Sequence, residues 1–234
     1  MTELLKTTKM VRCPKCGIEG ESNLEDTELT CPHCGNHWTH LTIPRNTEHF
    51  DHYLFLDYET TGEPDHKLLE VGWMVTDRNL IQLFECQSTV IAQSRLNLSA
   101  EVLKMHTRNG LLDEVARTTS EVWDAEKLIC DSIRPLTEDK SVRLILAGFT
   151  CHFDRNLMHR DMTHLDSWLH YRHFDVSVLR GCYNNWVEKI VSRKGEHPHR
   201  VKDDCISAWL IAKTYMKLFQ EHFPKGLSAQ GVAI

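Results

Sequence analysis

Four carboxylates and one histidine fall along the chain in an order suited to metal-assisted hydrolysis. Asp57 and Glu59 stand two residues apart, Asp154 follows, and His199 precedes Asp204 by five positions. Acids carried on separate elements can converge on two divalent cations, and a histidine of near-neutral pKa can take the proton of an attacking water. The chemistry such a set performs is cleavage of a phosphodiester bond. At i and i+2 at the end of a strand, Asp57 and Glu59 point to the same face, and bound cations relieve the repulsion between them. Taken singly, each acid has an ordinary alternative: a solvated strand end for Asp57 and Glu59, and a dipole-stabilised acid in a first helical turn for Asp154 and Asp204. Five positions on a helix turn through about 500°, so His199 is expected on the loop before the helix, where Gly195 and Pro198 favour irregular backbone. His197 is the alternative base in the same stretch, and spacing favours His199.

A second constellation lies nearer the N-terminus. Cys13-Pro-Lys-Cys16-Gly and Cys31-Pro-His-Cys34-Gly are two tight knuckles separated by fourteen residues. Four thiolates aimed at one point make a tetrahedral Zn²⁺ site, which lets a segment too short for its own core fold. The spacing predicts a zinc ribbon; four buried free thiols are the plain alternative. With four thiolates filling the shell, His33, His37 and His40 are bystanders.

The elements that must position the acids can be read from periodicity. Short apolar runs predict strands at 53–57, 68–76 and 80–92, the last two joined by a turn at Asp77-Arg-Asn, and a further strand at 143–148. Helices are expected at 99–106, 110–117 and 120–133, the last stopping before Pro135. Another runs from Asp154 to about 160, a short strand covers 173–177, a helix continues to about 192, and the final helix spans about 201–221. A three-stranded meander followed by alternating helices and strands gives an α/β fold, a mixed sheet flanked by helices. The expected organisation is a zinc ribbon and linker over 1–45, a catalytic domain over 46–224 and a tail over 225–234.

Composition narrows the setting. The chain has 234 residues, 41% hydrophobic and 26% charged, as expected of a soluble globular protein. Its net charge of −6 argues against a broad grip on long duplexes and points to a small substrate, since bound cations can supply positive charge at one phosphate. No apolar run reaches the ~18 residues of a membrane span, and the first residues lack a secretory h-region. Five of the nine cysteines lie scattered outside the knuckles, which suits a reducing interior. A cytoplasmic protein with no membrane partner is expected.

The motifs together resemble the DEDDh group of 3′-to-5′ exonucleases and, within it, the oligoribonuclease family. The resemblance covers roughly residues 51–223 and leaves the ribbon outside. It rests on Phe55-Leu-Asp-Tyr-Glu-Thr-Thr-Gly62, Leu69-Glu-Val-Gly-Trp-Met-Val-Thr-Asp77, His106-Thr-Arg-Asn-Gly-Leu111, Leu146-Ala-Gly148 with Asp154-Arg155, His170-Tyr-Arg-His-Phe-Asp-Val-Ser177 and His199-Arg-Val-Lys-Asp-Asp204.

The resemblance implies a ribonuclease H-like fold, two Mg²⁺ or Mn²⁺ ions and stepwise release of 5′-mononucleotides from short single-stranded RNA. Asp57, Glu59, Asp154 and Asp204 match the metal-binding acids, and His199 the general base. His106 matches a histidine near the active site. Tyr171, Arg172 and Ser177 stand where a cap over the substrate's 5′ phosphate is expected, with Thr150 in place of the usual serine. The family's tyrosine reaches across a dimer interface, so a homodimer is implied.

Departures are also present. Glu63 replaces the leucine that wedges between the two bases, the loop to Leu68 is about two residues short, and Phe149 and Phe153 replace polar residues. They put strict dinucleotide preference in doubt and leave a proofreading-type DNA exonuclease open. A third alternative is a ribbon that docks on nucleic acid or protein beside a vestigial nuclease domain. Mixed charge on the ribbon favours a structural or protein-contact role.

Overall fold

The computed structural model describes residues 8–13, 15–16, 18–23, 28–39, 52–137, 142–187 and 199–222. The chain divides into two units, Met1–His49 and Phe50–Ile234. Residues 40–51, which include His40 and the expected boundary between linker and catalytic domain, together with His197 and the 225–234 tail lie outside the described residues.

In the first unit, β1 (Thr8–Arg12) pairs antiparallel with β2 (Glu19–Asn23), and β3 (Glu28–Thr30) with β4 (His37–Thr39). One cysteine pair follows β1 and the other follows β3. Backbone bonds from Cys13 N to the Ile18 carbonyl and from Cys31 N to the Asn36 carbonyl, both 2.9 Å, close the two turns. Gly35 completes the second turn at φ +66°, a conformation that suits a residue without Cβ.

The second unit is built on five strands. β5 (His52–Thr60) lies at the centre of the order β7-β6-β5-β8-β9, antiparallel to β6 (Leu68–Asp77) and parallel to β8 (Leu144–Gly148). The edges are β7 (Gln87–Val90), antiparallel to β6, and β9 (His173–Asp175), parallel to β8. The helices are α1 (Ala100–Arg108), α2 (Leu111–Val115), α3 (Val122–Thr137), α4 (Cys151–Asp161), α5 (Thr163–Trp168), α6 (Val176–Trp186) and α7 (Val201–His222).

Alternation along β5 divides the core. Leu54, Leu56 and Tyr58 pack with Ile129, Ile133 and Met158 from α3 and α4. Phe55 faces the other way and packs with Met74, Ala147, Val176, Ala208 and Ala212, bringing in α6 and α7. Period-2 geometry therefore puts Asp57 and Glu59 on the α7 side of the sheet.

Several expected boundaries move. The strand expected at 80–92 shrinks to β7 plus an isolated bridge between Thr76 and Gln82. Here the Asp77 carboxylate accepts the backbone N–H groups of Asn79 and Ile81, each at 2.8 Å, and takes them out of the ladder. Pro135 does not stop α3, which runs to Thr137. The carbonyl that Pro135 leaves without its helical donor belongs to exposed Asp131, while buried Ile129 and Ile133 hold the helix by packing. α4 begins at Cys151 rather than Asp154, and β9 ends at Asp175, whose side chain caps α6. Residues 188–192 of the helix expected to reach about 192 lie outside the described residues.

Candidate active site

Three of the four acids converge. Asp57 and Glu59 from the end of β5 meet Asp204, the fourth residue of α7, with one carboxylate oxygen from each lying within 4.8 Å of the others. Asp154, in the first turn of α4 and only 4% exposed, lies close enough for the Asp57 charge to act on it.

Burial sets the electrostatics of the cluster. Loss of solvent, then the charges of Asp204 and Glu70, push Asp57 up to about 8. Loss of solvent and the charge of Asp57 raise Glu59 to about 8 as well. Asp154 is raised well above the usual carboxylate range, first by burial and then by Asp57, against hydrogen bonds from the backbone at Asp154 and Tyr58. Carboxylates forced together out of water keep their protons until a cation compensates them, which is the electrostatic signature of a cation site.

The two histidines are placed differently. His106 is fully buried, with Nε2 3.2 Å from the Thr60 carbonyl and 3.7 Å from Glu59 Oε2. Burial lowers its pKa, so the ring is neutral and Nε2–H donates to Thr60. It therefore braces the end of β5 from within. His199 lies on the segment just before α7 with an exposed side chain, and it is close enough to His106 to act on its charge. Its backbone is in the left-handed region at φ +49°.

The residues expected around a terminal phosphate fall into two pairs. Thr150 and Ser177 are brought together by Asp175. That carboxylate accepts from the backbone N–H groups of Thr150 (3.3 Å), Cys151 (3.1 Å), Ser177 (2.8 Å) and Val178 (3.2 Å), tying the starts of α4 and α6. Tyr171 and Arg172 contact each other: Arg172 Nε donates to the Tyr171 hydroxyl at 3.2 Å, and the guanidinium lies 5.5 Å from the ring centroid. Both are exposed. Glu63, in the wedge position, is exposed on the turn after Gly62.

Sequence reasoning missed the residues behind the site. Arg200 forms paired bonds of 2.9 Å with Glu70 on β6 and with Glu114 on α2, and Asn109 Nδ2 donates to the His199 carbonyl at 2.6 Å. The one available signal was that Glu70, Asn109 and Arg200 fall inside the matching stretches.

In the first unit, the four cysteine sulfurs all lie within 4.8 Å of one another. Cys13 and Cys34 are 3.7 Å apart and Cys16 and Cys31 3.6 Å. Zinc–sulfur bonds of about 2.3 Å in a tetrahedron place sulfurs about 3.8 Å apart, so the donor set fits zinc. Burial opposes ionisation of Cys13, but backbone N–H groups at Cys16 and Lys15 outweigh it and hold the thiol down at about 6.

A five-stranded mixed sheet flanked by helices, with acids converging at the end of its central strand, defines a ribonuclease H-like nuclease fold. A family model described as Exonuclease (RNase_T) matches residues 54–211, and the chain belongs to this exonuclease family. An oligoribonuclease of Mycobacterium avium (strain 104) is 37% identical over 146 residues, covering 60% of this chain and 67% of that protein. One of Chromobacterium violaceum is 31% identical over 180 residues, covering 74% of this chain and 95% of that protein. Among solved structures, the zinc-bound complex of E. coli exonuclease I with single-stranded DNA superposes with a TM-score of 0.52 at 18% identity. That likeness shows the fold; it covers 76% of this chain, which spans 42% of the exonuclease I chain. Among the described residues, no helix is long and apolar enough to cross a membrane.

Proposed function

We propose that this protein is a DEDDh-type 3′-to-5′ exoribonuclease that degrades short single-stranded RNA, down to dinucleotides, to 5′-mononucleotides. The observation that carries the reading is the convergence of Asp57, Glu59 and Asp204 within 4.8 Å, in a chain 31% identical to an oligoribonuclease along 95% of that protein.

Asp57, Glu59, Asp154 and Asp204 would hold two Mg²⁺ or Mn²⁺ ions. When bound, the ions supply an activated water and charge stabilisation at the leaving 3′ oxygen. His199 takes the proton of the attacking water on a ring nitrogen, a role supported by its exposed side chain just before α7 and its nearness to His106. Water adds at phosphorus, the bond to the preceding nucleotide's 3′ oxygen breaks, and the released nucleotide keeps the phosphate on its 5′ carbon. Thr150 and Ser177, at the paired starts of α4 and α6, receive the 5′ phosphate of a short substrate, and the Arg172 fork and Tyr171 close over it. His106, being fully buried, serves by bracing Glu59 rather than by touching substrate.

A homodimer is part of this proposal, with the exposed Tyr171 available to a second copy. So is a cytoplasmic location. The four cysteines hold one structural Zn²⁺, and the ribbon is a protein or nucleic-acid contact. A DNA exonuclease is the second reading. It is favoured by one observation: Glu63, an exposed carboxylate, stands where a leucine wedge would grip a dinucleotide.

The deciding experiment is turnover with Mn²⁺ on 5′-phosphorylated RNA of two, three, five and ten nucleotides beside matching DNA, with Asp204→Ala as the blank. Preference for the RNA two-mer is expected. Equal rates at all lengths, or faster DNA cleavage, would replace the proposal with a general exonuclease.

A further inference from the structure

His199 occupies a backbone conformation that an L-residue enters at a cost, and such strain persists where surrounding bonds over-determine it. Those bonds are present. Asn109, the C-terminal cap of α1, is fixed at both ends of its amide. Oδ1 accepts from Leu111 N at 3.1 Å, and Nδ2 donates to the His199 carbonyl at 2.6 Å. A donor is needed at one partner and an acceptor at the other, so the amide has one orientation.

The next residue, Arg200, is held harder. Nε and Nη2 bond the two oxygens of Glu70, Nη1 and Nη2 those of Glu114, all at 2.9 Å, and Nη1 also reaches the Asn109 carbonyl at 3.4 Å. Glu70 is 1% exposed, and a buried carboxylate without its guanidinium is strongly disfavoured, so the arrangement resists being broken. The Arg200 carbonyl in turn accepts from Asp203 N (2.9 Å) and Asp204 N (3.1 Å), starting the helix that carries Asp204.

We infer that Asn109 and Arg200 are positioning residues that fix the His199 backbone, and through it the imidazole, beside the acid cluster. The inference rests on the assignment of His199 as general base. The two residues divide the work: Arg200 holds both His199 and the start of α7, whereas the Nδ2 donor of Asn109 bonds the His199 carbonyl. A base misplaced by about 1 Å costs on the order of 100-fold in rate, without weakening substrate binding in proportion.

The test uses the full chain, with Asn109→Asp keeping the acceptor for Leu111 and losing the donor, and Asn109→Ala losing both. Steady-state turnover of 5′-phosphorylated RNA two-mer, half-saturation by Mn²⁺ and melting temperature are measured for each. Both variants are expected to lose about 10-fold or more in kcat, with KM and Mn²⁺ half-saturation within about twofold of wild type. Arg200→Lys, which cannot form both forks, is expected to shift kcat and Mn²⁺ half-saturation together. Unchanged kcat in both Asn109 variants, or a kcat loss matched by weakened Mn²⁺ or a collapsed melting temperature, overturns the inference. A wild-type protein inactive on every RNA and DNA overturns the exonuclease reading itself, an outcome distinguishable from the first.

Discussion

Gly72 and Val201 meet with no space for another atom between them: a Cβ on Gly72 would fall 2.8 Å from both Cβ and Cγ2 of Val201 and 3.0 Å from its carbonyl carbon. Gly72 lies directly opposite Asp57 in the β5–β6 ladder, and Val201 opens α7. This contact sets how closely the helix bearing Asp204 approaches the strand bearing Asp57 and Glu59. Gly72→Ala forces that approach apart. Overpacking of this kind costs about 1–3 kcal/mol, so the melting temperature is expected to fall. Mn²⁺ half-saturation is expected to rise several-fold, because Asp204 withdraws from its partners. Thermal melts and an activity titration with Mn²⁺ check both, and an unchanged Mn²⁺ requirement would separate the contact from the site.

The raised carboxylates make stability depend on pH in a defined direction. Unfolded, Asp57 and Glu59 ionise near about 4; folded and free of metal, both hold their protons up to about 8. Between those values the folded state binds more protons, so metal-free stability falls as pH rises from about 4 to about 8. A cation must expel the same protons, so its stabilising effect grows over that window. Melts of protein freed of loosely bound divalent ions by gel filtration, its cysteine-bound zinc retained, from pH 5 to 8 with and without added Mn²⁺, test this. A metal-free melting temperature that rises with pH above 5 would contradict it.

Removing one acid should separate stability from function. Asp204 contributes charge that raises both Asp57 and Glu59. Asp204→Asn removes that repulsion while keeping size, so the metal-free protein is expected to melt at or above the wild-type temperature at pH 8. Turnover is expected to drop about 100- to 1000-fold, the scale lost when a transition-state charge loses its stabiliser. A folded variant with near-normal turnover would remove Asp204 from the site.

The four-cysteine cluster predicts one equivalent of zinc per chain. Elemental analysis of purified protein should find it, and Cys31→Ser should lose it. Since Cys13 and Cys31 are buried and the first unit spans only Met1–His49, loss of zinc is expected to unfold that unit. Proteolysis would then cut within the first unit and leave a fragment beginning near Phe50. Retention of full zinc by the variant would refute the assignment.

What the sequence determined by itself are features governed by near neighbours. Two acids at i and i+2 share a face because a strand repeats every two residues, and the structure places Asp57 and Glu59 together. Each Cys-Pro-X-Cys-Gly turn bends locally, and the four sulfurs meet. His199 falls before α7 and Asp204 in its first turn, as their spacing required. Tertiary structure alone decided the rest. The ends of the strand expected at 80–92 turned on the side chain of Asp77, and the persistence of α3 through Pro135 turned on packing. Burial of His106, the Gly72–Val201 contact and the Arg200 forks join positions 46 to 130 residues apart. Local periodicity carries no information about such contacts, since they exist only once the sheet and α7 have met and water has been driven from between them.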